Sequence, residues 1–87
     1  MTRQSRSEVA VLLQEARALE LLADEAEVSP ARLEEYWRLT ADLINVVADI
    51  ETLELDKPNA DYADPQVFQL KRRLREIAST LMQLERE

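Results

Sequence analysis

Carboxylates are the most abundant groups in this chain that could do chemistry: 18 aspartates and glutamates stand against 11 lysines and arginines, with no histidine, cysteine or glycine among the 87 residues. The densest non-helical cluster is LELDKPNADYADPQ, residues 53–66, where Asp56, Asn59, Asp61 and Asp64 offer the hard oxygen donors that calcium and magnesium prefer. Their spacing does not follow the calcium loop D-x-D-x-D-G with its closing glutamate, and the glycine that loop needs for its sharp turn is missing. Asp64 stands directly before Pro65, the arrangement of a helix cap followed by proline at the first helical position. The stretch therefore reads as a polar link between helices, with Tyr62 folded back onto the bundle and no metal or other cofactor expected.

Carboxylates three or four residues apart recur on the helical segments, at Glu20/Asp24, Asp24/Glu27 and Glu51/Glu54, and such spacing puts each pair on one helix face. Facing acidic helices are how divalent-metal-dependent nucleotide hydrolases hold magnesium, which makes that activity an alternative to weigh. The segment LEEYWRLTADLINVVADIE supplies Glu34, Glu35, Asp42 and Asp49, but Arg38 and Leu39 stand where the acidic helix of the MazG-like pyrophosphatases has glutamates. The motif is broken at both positions, and a solvated acidic face is the expected reading. Without cysteine or histidine the common nucleophile–base pairs are excluded, and no serine sits in a glycine-flanked turn. Di-iron bundles, which pair glutamates with E-x-x-H, are disfavoured as well. The chain is thus expected not to be an enzyme.

The one concentrated basic patch is KRRLR, in which Lys71, Arg72, Arg73 and Arg75 could contact phosphates. This makes a nucleic-acid-associated regulator a further alternative. A formal net charge of −7 opposes it, as it opposes binding to anionic lipid, and suits a basic partner better. The charge is uneven: residues 8–28 carry −5, 29–55 carry −4 and 65–87 carry +2, so attraction of the third segment for the first two favours their packing.

Three elements must position these groups. In the first, about residues 5–27, Val9, Leu12, Ala16, Leu19, Ala23 and Ala26 recur at spacings of three and four, the seam of an amphipathic, coiled-coil-like helix, and Ser5 with Glu8 fits a capping box. The second, about 30–55, opens at Ser29-Pro30 with Val28 and Leu33 placed as a hydrophobic staple. Its polar residues form only a narrow stripe, so its apolar arc exceeds the roughly 100° that one buried face requires. The third, about 65–86, carries the seam Val67, Leu70, Leu74, Ile77, Leu81 and Leu84 behind a 56–64 loop.

The expected fold is all-α: an antiparallel three-helix bundle, or a long helical hairpin plus a third helix, that self-associates. The surplus apolar surface places Tyr36, Trp37, Ile44, Val47 and Phe68 as partner-binding residues. The expected function is that of a small acidic, non-catalytic interaction module, acting as an adaptor, an assembly or secretion-type chaperone, or a regulatory subunit. Its partner would be another protein or a second copy of itself, most simply as a homodimer. Arg3 and Arg6 precede an apolar run that Gln14 and Glu15 end too early for a signal peptide, and no stretch approaches the ~20 apolar residues of a membrane span, so a cytoplasmic location is the default expectation.

Overall fold

The computed structural model describes residues 7–86, and they form three helices: α1 (Glu8–Glu25), α2 (Leu33–Asp56) and α3 (Pro65–Arg86). Arg17 of α1 pairs with Glu51 of α2, and Tyr36 near the start of α2 reaches Ala23 near the end of α1, so these two helices run antiparallel. Arg73 of α3 meets Asp42 and Asp49 of α2, again antiparallel, whereas Glu8 and Glu15 of α1 meet Tyr62 and Lys71 in the same order along the chain. The result is an up-down-up three-helix bundle with α1 and α3 parallel.

The core is built from the expected seams. Val9, Leu12, Ala16, Leu19 and Ala23 of α1 and all six seam residues of α3, from Val67 to Leu84, are buried together with Leu39, Leu43, Val46, Val47, Ile50 and Leu53 of α2. Two of the five α1 positions are alanines, which lets that helix approach its neighbours closely while contributing less burial than α2. No polar or charged side chain is buried among the described residues, so stability rests on apolar packing, each fully buried leucine, isoleucine or valine contributing about 1.5–3 kcal/mol.

The helix ends differ from expectation. Ser5 lies outside the described residues, and the cap of α1 is Ser7, whose Oγ accepts from the Ala10 amide at 3.3 Å and donates to the Pro58 carbonyl at 2.6 Å. Glu8, expected to complete a capping box, instead accepts from the Tyr62 amide at 2.6 Å. One serine and one glutamate thereby tie the α2–α3 loop to the start of α1. At its other end α1 stops at Glu25, two residues early, because Ala26 turns to an extended conformation (φ −68°, ψ 139°), which carries Ala26 and Val28 back against the core. No described residue has positive φ, so no helix here ends in a left-handed cap.

The entry to α2 also departs from expectation. Pro30–Arg32 form a single 3₁₀ turn, and Ser29 contributes its carbonyl, which accepts from the Arg32 amide at 2.9 Å, in place of a hydroxyl cap. The α-helix proper begins at Leu33 because Arg32 (φ −111°, ψ 9°) is not helical. α3 starts as the sequence implies. Asp64 Oδ1 accepts from the Gln66 amide at 2.8 Å, and Lys57 reaches Asp64 Oδ2 at 3.1 Å across the loop. The Lys57 hydrogen bond first, then that of Gln66, holds the Asp64 carboxyl below its ordinary pKa.

Candidate interaction surface

The five residues expected on a partner-binding surface divide between inside and outside. Val47 is a core residue, 7% exposed, and packs within its own chain. Tyr36 is half-buried, and its hydroxyl donates to the Ala23 carbonyl at the end of α1, which accepts from the Ala26 amide as well. Trp37, one residue on, points the other way at 65% exposure, with Ile44 at 61%. Phe68 is also exposed but sits on α3, away from both. Three of the five therefore reach solvent, on two different faces.

The α2 face is larger than those two residues. Leu33, Trp37, Ala41, Ile44, Ala48 and Leu55 are all exposed and follow one another at helical spacing, interrupted only by Glu51. Over 22 residues this stripe is about 33 Å long. It lies on the side of α2 turned away from the core residues Leu39, Leu43, Val46, Ile50 and Leu53, and so realises the second apolar arc that the composition of the helix requires. Leu21 of α1, 66% exposed, joins it, since Leu21 and Ile44 line the same shallow depression between the two helices. Leu21 and Leu55 do not belong to any heptad seam. The signal that could have marked them is the pattern of residues left over after each seam is assigned. Scattered exposed leucines are ordinary, but a continuous apolar stripe along a whole helix marks an interaction surface.

Carboxylates rim this stripe. Glu20 and Asp24 line the depression beside Leu21, and Glu34 follows Leu33; none of the three has an ion-pair partner among the described residues. Arg17 lines the depression too, but its charge is met by Glu51.

A second, smaller apolar face lies between α1 and α3. Leu22, Ala18 and Ala78 line an open groove of about 330 Å³ with Lys71 and Arg75 at its edge, and Phe68 and Met82 are exposed one heptad to either side of Arg75. The basic residues expected to contact phosphates are dispersed around α3. Lys71 binds Glu15 at 2.8 Å and lies 5.9 Å from the centre of the Tyr62 ring. Arg73 sits between Asp42 at 3.2 Å and Asp49 at 3.0 Å, and although its burial works against the charged form, those two carboxylates prevail and raise its pKa. Arg72 lies 3.7 Å from Glu76. Arg75 is left without an ion-pair partner among the described residues. The geometry thus leaves one of the four available to a phosphate at no cost to the bundle.

The acidic loop is occupied with its own backbone. Asp61 Oδ1 accepts from the Ala63 amide, Asp64 caps α3, and Tyr62 is held at its amide by Glu8. No group of three or more acidic residues among those described is arranged to hold a metal ion. No described helix is long and apolar enough to cross a membrane. No protein-family model, no curated protein and no solved structure matches the chain.

Proposed function

We propose that this chain is a non-catalytic protein–protein interaction module, an adaptor, chaperone or regulatory subunit, whose binding surface is the outer face of α2 together with Leu21. The observation that carries the reading is the exposure of Trp37, Ile44, Leu55 and Leu21 along one continuous face of an otherwise well-packed bundle. Folding has already satisfied the core seams among the described residues, none of which covers this apolar surface, and covering it with another polypeptide gains the burial that the monomer forgoes. Aromatic anchors such as Trp37 carry a large share of binding energy in interfaces of this kind.

Trp37 is the only tryptophan, so its fluorescence reports directly on the proposed surface. Association, with a partner or a second copy, is expected to shift its emission to the blue and to protect it from soluble quenchers. Ile44→Glu, an exposed substitution that leaves the core intact, is expected to abolish the shift. Emission that stays that of a solvent-exposed indole at all concentrations and with every bound partner would overturn the reading. Nucleic-acid binding through Lys71, Arg72, Arg73 and Arg75 is supported less well, because Lys71 and Arg73 are committed to carboxylates of the bundle.

A further inference from the structure

The exposed stripe of α2 is symmetric about Ile44 in its leucines and nearly so in its alanines, with Trp37 on one side answered by Glu51 on the other. Taking Ile44 as centre, Leu33 and Leu55 lie eleven residues to either side, Trp37 and Glu51 lie seven to either side, and Ala41 and Ala48 lie three before and four after. The average spacing is close to one helical turn, so the stripe runs along the helix axis and does not wind around it. A surface with this symmetry is complementary to itself when turned end for end, which is the requirement for an isologous contact.

From this we infer that the occupant of the stripe is a second copy of the chain, bound antiparallel about a two-fold axis through Ile44. The inference rests on the reading of α2 as a binding surface and specifies what binds there. In this register Ile44 meets Ile44 of the second copy, and Ala41 meets Ala48, small residues that let the two helix axes approach to about 8 Å. Leu33 closes each end against Leu55. Trp37 falls on Glu51 of the second copy, whose carboxylate pairs with Arg17, so a guanidinium comes within reach of the indole for a cation–π contact. The single polar interruption of the stripe thereby becomes the partner of its single aromatic residue.

The rim gives the dimer an electrostatic signature. Glu20, Asp24 and Glu34 have no ion-pair partner among the described residues, and two-fold pairing brings like-charged rims together. Dimerisation is therefore opposed at low ionic strength and strengthened as salt screens the rims. A basic helical partner on the same stripe has the opposite dependence, being released by salt.

The chain lacks cysteine, so a single introduced thiol tests the register without background. Under mild oxidation, full-length Ile44→Cys is expected to form a disulfide dimer at least about tenfold faster than Met82→Cys, which carries a similarly exposed thiol on α3, and faster still on going from about 20 mM to about 500 mM salt. Ala41→Cys mixed with Ala48→Cys is expected to give the mixed dimer in preference to either homodimer. Equal rates for Ile44→Cys and Met82→Cys, or a mass in solution that remains that of one chain at every salt concentration, would overturn the two-fold contact. A chain that stays single yet shows the Trp37 blue shift on binding a basic polypeptide, weakened by salt, overturns this inference while leaving the proposed function standing. A dimer indifferent to Ile44→Glu, with Trp37 emission unshifted by dimerisation and by every bound partner, overturns both.

Discussion

Tyr36 and Trp37 are neighbours in sequence and about 100° apart around α2, and that rotation decides their roles. Tyr36 turns inward, where its hydroxyl donates to the Ala23 carbonyl, which also accepts from the Ala26 amide at 3.3 Å where α1 stops. In a chain with no glycine to form a left-handed cap, a tyrosine from the next helix adds a second donor to that carbonyl. Tyr36→Phe keeps the ring packing and removes only the hydrogen bond, so it is expected to cost about 1 kcal/mol. For a chain of this size that is a fall of roughly 4–8 °C in Tm, read by circular dichroism. Trp37→Phe, at an exposed position, is expected to stay within about 0.5 kcal/mol of wild type when measured at high dilution. If the two substitutions cost the same, the carbonyl of Ala23 is not being served by Tyr36.

At the scale of elements, the cores of α1 and α3 are legible in the sequence almost residue by residue, because each has one heptad seam and the period of that seam names its core. α2 is not. Its apolar residues cover two sides, and periodicity alone does not say which side turns towards α1 and α3; Val47 and Ile44 are equally apolar, yet one is buried and the other exposed. The side turned inward is the one that also brings Glu51 to Arg17 and Asp42 and Asp49 to Arg73, partners distant in sequence. Helix ends are harder still to read: the cap of α1 is Ser7, whose hydroxyl accepts from the Ala10 amide and also donates to a carbonyl at Pro58 that no local pattern contains. The division of α2 is open to direct measurement. Ile50 is fully buried, so Ile50→Ala is expected to destabilise by about 2–5 kcal/mol, whereas Ile44→Ala in a dilute sample is expected to change stability by less than about 0.5 kcal/mol. Comparable losses at both positions in denaturant titrations would mean that α2 is turned differently in the bundle.

Across the whole molecule, charge is arranged to hold α3 against two acidic helices, and that arrangement separates the structural from the available cations. Arg73 lies between Asp42 and Asp49, so Arg73→Glu removes two ion pairs and places a third carboxylate between the original two. The side chain is 36% exposed, and solvent screening limits the loss, which is expected to be about 1–2 kcal/mol at low salt and smaller at high salt. Arg75 meets no carboxylate among the described residues, so Arg75→Glu is expected to leave stability within about 0.5 kcal/mol of wild type. The same pair of variants bears on the basic-patch reading. A protein that used this patch on phosphates would lose retention on nucleic acid through Arg75→Glu without losing stability, whereas a bundle that spends its arginines internally loses stability through Arg73→Glu and has no retention to lose. Melting both variants at two salt concentrations, alongside retention on a nucleic-acid column at low salt, distinguishes the two. The expected outcome is a salt-dependent Tm difference at Arg73, none at Arg75, and no retention for either variant or for the wild-type chain. Retention of the wild type that disappears with Arg75→Glu would instead move the functional surface from α2 to α3.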